Sequence, residues 1–212
     1  MVLQFNTFYH IYNHANGDDN LFREEKNYPF FLEKYHQHID PIADTIAWCL
    51  MPNHFHLLVK IRSEKEIVDN FSSSRTSTFL KFRTLEKLAE AEEEKLKFLS
   101  KQFSNFFSSY SQAFNKVYNR RGSLFIKNFK RKEIANEQYL RNIILYMHLN
   151  PVKHGFTKNI NHWLWNSFSS FYDQHKELAN NLFIDILNYQ KNHLQKQNKF
   201  IEYETLENEL TS

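Results

Sequence analysis

Residues 42–61 constrain the fold of this chain more than any other stretch. Two β-prone runs, 42–50 and 54–61, are separated only by Met51-Pro52-Asn53. Pro fixes φ and Asn suits turn positions, so a link this short between two such runs predicts an antiparallel hairpin. Side chains along a strand alternate between its faces, which puts His54 and His56 on one face and Phe55 on the other. Leu57-Leu58-Val59 then anchors the strand in a core. Two imidazoles side by side on a rigid strand form a bidentate clamp for a divalent ion, and neutral imidazole is the commonest metal-binding side chain. Taken alone, such a pair is more often two half-buried core histidines than a metal clamp.

The flanking segments fill in an α+β pattern. Residues 5–14 are aromatic and β-prone and predict a first strand, followed by a turn cluster over 15–20. From Asn27 to about Ile39, apolar residues recur at helical spacing (Tyr28, Phe31, Leu32, Tyr35, Ile39), until Asp40-Pro41 ends the helix. Residues 63–101 combine a polar stretch, Ser72 to Thr78, with a charged segment from Leu85 to Leu99. The pattern predicts a solvated helix there, and 63–101 as a whole is read as an insertion. Gln102 to Tyr118 is a long amphipathic helix whose face holds Phe103, Phe106, Phe107, Tyr110, Phe114 and Val117; such a stripe is core. A further helix runs from Glu137 to Leu149, with Pro151 expected to stop it. The domain is expected over 1–175, with a helical tail of unassigned role over 176–212.

Composition narrows the classes. The chain has 212 residues, enough for one sizeable core, and its 21 Phe against 3 Gly and 4 Pro predict an aromatic interior with few flexible linkers. One cysteine, Cys49, excludes an intrachain disulfide and suits a reducing cytoplasm. The start of the chain lacks a signal peptide pattern, and no apolar run approaches the roughly 20 residues of a membrane span. A net charge of +3 permits nucleic-acid binding without arguing for it.

The distribution of charge says more. Between Asn119 and Lys132, the cations Arg120, Arg121, Lys127, Lys130, Arg131 and Lys132 are interleaved with Phe125 and Phe129. Cations for phosphates beside rings that stack bases are what a single-strand groove requires. The same residues also describe a solvated basic turn and strand over two core phenylalanines, and charge alone does not separate the two.

Met51-Pro52-Asn53-His54-Phe55-His56-Leu57-Leu58-Val59 resembles the HUH motif (His, bulky hydrophobe, His) of single-tyrosine transposases, more narrowly of the REP-associated tyrosine transposase-like branch. Tyr146-Met147-His148-Leu149-Asn150-Pro151-Val152-Lys153-His154-Gly155 is similar to that family's Tyr-Ile-x-x-Asn-Pro-Val-(Arg/Lys)-x-Gly signature. Trp163-Leu164-Trp165-Asn166-Ser167 to Phe171 is similar to its closing segment, so the likeness spans roughly 5–172. The resemblance implies a ferredoxin-like antiparallel sheet with helices packed on one face. It implies metal-dependent cleavage and rejoining of single-stranded DNA beside a hairpin, with Tyr146 as nucleophile forming a 5′-phosphotyrosine. His54 and His56 would be metal ligands, with Asn150 or else His148 as the third, and the ion Mg²⁺ or Mn²⁺. It also favours the DNA-groove reading of Arg120, Arg121, Phe125, Lys127, Lys130, Arg131 and Lys132. The expected partner is hairpin-bearing single-stranded DNA with no membrane, and the protein a monomer or homodimer. The alternative is a binding module of the same fold that has lost catalysis.

Overall fold

The computed structural model describes residues 2–72 and 92–211. Within them, strands β1 (Phe8–His14), β2 (Ala43–Met51), β3 (His54–Ile61) and β4 (Lys130–Glu133) form one antiparallel sheet in the order β2-β3-β1-β4. Helix α1 (Asn27–Ile39) joins β1 to β2. Helices α2 (Glu64–Ser72) and α3 (Glu92–Val117) lie between β3 and β4. This order is the split βαβ arrangement of a ferredoxin-like fold, and the β2–β3 hairpin falls where the sequence puts it.

The alternation of β3 divides the protein into two cores. Phe55, Leu57, Val59 and Ile61 point towards α1 and α3, where they meet Phe31, Tyr35, Phe103, Phe106 and Tyr110. Phe31 is packed edge-on to Phe106 and Tyr110, with centroids 4.9 and 5.1 Å apart, an arrangement aromatic quadrupoles favour. Each such buried ring contributes about 2–3 kcal/mol of burial. The opposite face of the sheet is also covered, by α4 (Glu137–Lys153), α5 (Phe168–Gln174), α6 (Lys176–Phe183) and α7 (Ile186–Thr211). Ile46, Ala47 and Leu58 meet Ile143, Ile144 and Met147 there.

Several local expectations change. Residues 73–91, which include most of the expected polar loop and about half of the charged segment, lie outside the described residues. Leu96, Phe98 and Leu99, expected on a solvated helix, are instead buried against the first core as the opening of α3. Hydrophobic periodicity at their positions was outweighed in the sequence by the surrounding lysines and glutamates. At the other end of α3, Val117 is 62% exposed, outside the stripe. Pro151 does not stop α4: the helix continues to Lys153, its end set by Gly155 at φ +69. Gly155 N–H donates to Val152 O and Phe156 N–H to Pro151 O, the two bonds of a glycine-closed helix end. Finally, the tail is not an appendage. Ala179, Leu182, Phe183 and Tyr189 are buried in the second core.

Candidate metal and nucleophile site

The site lies on the β1–β3 seam, on the face that α4 crosses. Cross-strand partners share a face, and Tyr12 pairs with His56 and His14 with His54. His10, Tyr12, His14, His54 and His56 therefore form one polar patch in the sheet. His54 and His56 are both 4% exposed, with ring centroids 5.2 Å apart.

Helix α4 supplies the other half. Tyr146 and Asn150 are one turn apart, which puts both on the helix face that meets the histidines. The Tyr146 ring is 5.5 Å from that of His56, and the fully buried Asn150 places Oδ1 3.3 Å from His54 Nε2. Lys153 carries Nζ 5.2 Å from the centre of the Tyr146 ring. One chain thus contributes both the histidine pair and the tyrosine.

Burial sets the protonation of this patch. It pushes His10 and His54 down to about 4 and His56 well below the ordinary histidine value, helped for His10 by Lys132 and for His56 by His10. His14 and His154, whose rings lie 4.6 and 5.4 Å from His54, are lowered by burial as well. All five are therefore neutral at pH 7, the form that binds metal.

The hydrogen bonds around His54 test whether a cation fits. His54 Nδ1 lies 2.7 Å from Asn53 Oδ1, which can only accept, so the single proton of this neutral ring is on Nδ1. Nε2 then presents a lone pair towards the carbonyl oxygen of Asn150, while Asn150 Nδ2 is buried with no partner. Two converging lone pairs with no proton between them suit a shared cation, and imidazole with amide oxygen suits Mn²⁺ or Mg²⁺. Among the described residues no trio of His, Cys, Asp and Glu is placed to hold a metal, so the fit rests on the amide of Asn150 as third donor.

His148, the alternative third ligand, is not brought to the face of His54 and His56. It is fully buried on the far side of α4, with Nδ1 3.1 Å from His193 Nε2 and Nε2 2.9 Å from Ser167 Oγ. The spacing of two residues turns it away from the face of Tyr146 and Asn150.

The basic segment divides. Lys130 and Lys132 pair with Tyr12 and His10 and so share the histidine face, both exposed. Arg131, between them, is on the other face, over Phe129 at 5.0 Å and 3.2 Å from Ser100 Oγ. There it lines an open groove of about 450 Å³ with Lys127, Phe129 and the α3 serines. Arg121 and Lys127 are exposed. Two expected DNA contacts are otherwise engaged. Arg120 is bound to Asp19 and donates to Gly122 O and Ser123 O, at 3.2 and 2.8 Å, tying the turn together. Phe125, 6% exposed, packs on Phe107 and Phe55 in the first core, so its face is not free for a base.

An open cavity of about 580 Å³ adjoins the tyrosine, lined by His10, Tyr12, His56, Lys132, Tyr146 and, from α7, Lys196. The sequence did carry a signal for the missed part of this wall: His10, Tyr12 and His14 alternate at the period of a strand. For Lys196 there was none, because its place depends on how the tail folds back.

Sheet order, hairpin histidines and a helix laid across them define an α+β domain with a ferredoxin-like sheet. No protein-family model matches the chain. It is similar to a Haemophilus influenzae protein provisionally named a REP-associated tyrosine transposase, at 23% identity over 171 residues that cover 79% of this chain and 76% of that one. Its fold is similar to the solved structure of a REP-associated tyrosine transposase bound to a REP hairpin, with a TM-score of 0.55 and 16% identity over 86% of this chain and 85% of that one. The chain thus resembles the REP-associated tyrosine transposases in sequence and in fold.

Proposed function

We propose that this protein is a metal-dependent DNA strand transferase that cuts and rejoins single-stranded DNA beside a hairpin. The observation that carries this reading is the packing of Tyr146 against His56 at 5.5 Å, with Asn150, one turn later, on His54 at 3.3 Å. A structural tyrosine needs neither neighbour. The solved relative's hairpin supports DNA of the same class as substrate here.

His54, His56 and Asn150 would hold the divalent ion, which polarises a phosphate oxygen and offsets charge in the transition state. Lys132 and Lys196 line the cavity beside Tyr146, where the phosphate would sit, and Lys153 lies over the Tyr146 ring. The Tyr146 oxygen attacks phosphorus as its proton leaves to solvent. The bond from phosphorus to the 3′ oxygen breaks, and that oxygen takes a proton to become a free 3′-hydroxyl. The 5′-phosphate stays on Tyr146, so the bond energy is retained for rejoining. When a 3′-hydroxyl attacks the phosphotyrosine, the reverse exchange frees Tyr146.

Labelled single-stranded DNA carrying a hairpin and its flanks, incubated with Mn²⁺, tests this reading. The native protein should release a fragment with a 3′-hydroxyl, and chelation of the metal should stop release. Binding of the hairpin without cleavage in Mn²⁺ or Mg²⁺ would identify the catalytically inactive module instead.

A further inference from the structure

His56 has two ring nitrogens, and a metal ligand needs a lone pair on the one that faces the ion. Its Nδ1 lies 2.9 Å from His10 Nε2, between two rings that are 4% and 6% exposed. Two neutral imidazoles can share a proton across this gap in only two ways. If His10 donates, His56 must carry its own proton on Nε2 and offers no lone pair there. If His56 donates from Nδ1, His10 accepts and His56 Nε2 is free.

We propose that His10 is a positioning residue that holds His56 in its Nδ1–H form, so that Nε2 is presented to the ion. The inference rests on the metal-site reading above. Its support is a parallel on the neighbouring ligand: His54 Nδ1–H is already fixed by Asn53 Oδ1, an acceptor alone. Both strand histidines then have Nδ1 tied and Nε2 open, an outer-shell arrangement that sets ring orientation and raises ligand basicity. His10 stacks on Tyr12 at 4.7 Å, which fixes its ring in line with His56. Core packing at this point would need only a ring; the imidazole adds an accepting nitrogen in line with His56.

Two measurements on the full chain test this. Mn²⁺ affinity is determined by calorimetry or electron paramagnetic resonance for the native protein, His10→Phe, His10→Gln and His56→Ala. His10→Phe keeps a ring without an acceptor and should weaken Mn²⁺ binding about 10–100-fold. His10→Gln restores an accepting oxygen and should recover most of the loss, a rescue that poorer packing does not predict. Nitrogen NMR of the Mg²⁺-loaded native protein should show the His56 proton on Nδ1, and it decides the matter even if His10→Phe fails to fold. Native affinity in His10→Phe, or a His56 proton on Nε2 in the loaded protein, overturns the role of His10 alone. No saturable Mn²⁺ binding by the native protein, or undiminished binding by His56→Ala, overturns the metal-site reading and this inference with it.

Discussion

His54 Nε2 and Asn150 Oδ1 stand 3.3 Å apart although 96 residues separate them. The strand histidine is fixed by Asn53, and the amide is carried in by α4. Replacing Asn150 by Leu removes the oxygen and should weaken Mn²⁺ binding at least about tenfold, by comparison with typical losses when a metal site is damaged. Asn150→Asp keeps the shape and adds charge, so it should bind Mn²⁺ more tightly than the native chain. Calorimetric titration measures both; equal affinities for all three proteins would remove Asn150 from the site.

The division of the basic segment predicts unequal effects within it. Lys130→Ala, Lys132→Ala and Lys196→Ala, combined, should weaken DNA binding and flatten its salt dependence, since each phosphate no longer neutralised by a lysine lowers the slope by about one. Arg120→Ala should act otherwise. Its guanidinium is engaged by Asp19 and two carbonyl groups, so thermal stability should fall while the salt slope stays. Filter binding across a salt series, beside melting curves, separates the two outcomes; a native slope in the triple variant would move the groove to the Lys127 and Arg131 face.

Much of the fold was legible because its signals are local. The hairpin could be read from Met51-Pro52-Asn53, and α1 from the spacing of Tyr28, Phe31 and Tyr35. The separation of Lys130 and Lys132 from Arg131 was available too, since residues in a strand alternate, but only once the segment is known to be a strand. Other features depend on tertiary packing. That Lys196 reaches the cavity and that His193 meets His148 follow from where α7 lies, and Phe125 is core because α3 brings Phe107 to it, whereas the turn of His148 away from Tyr146 was readable from helical spacing. Pro151 misled because helices tolerate it when the neighbouring contacts hold α4 in place, and Gly155 supplies the stop.

The buried pair His148 and His193 predicts acid sensitivity. Burial lowers His193 to about 4 and His148 well below the ordinary value. The unfolded chain therefore binds more protons between about pH 6.5 and 4, and stability rises with pH across that window. It is fully present above the unfolded value and is lost as pH falls towards 4. For His193 alone, the drop from 6.5 to about 4 corresponds to a loss on the order of 3 kcal/mol. Denaturant midpoints from pH 7.5 to 4.5 measure it; a flat profile would mean that these histidines meet acid without cost.

The proposed cleavage depends on one oxygen, that of Tyr146. Tyr146→Phe removes it with little change in volume, so folding and hairpin binding should persist. The most direct measurement is intact-mass and peptide mass spectrometry of the protein after incubation with hairpin-bearing single-stranded DNA and Mn²⁺. The native chain should gain the mass of the 5′-phosphorylated fragment, mapped to the peptide that contains Tyr146, and Tyr146→Phe should gain nothing. An adduct mapped to another residue, or one that persists in Tyr146→Phe, would contradict the assignment of Tyr146 as the nucleophile.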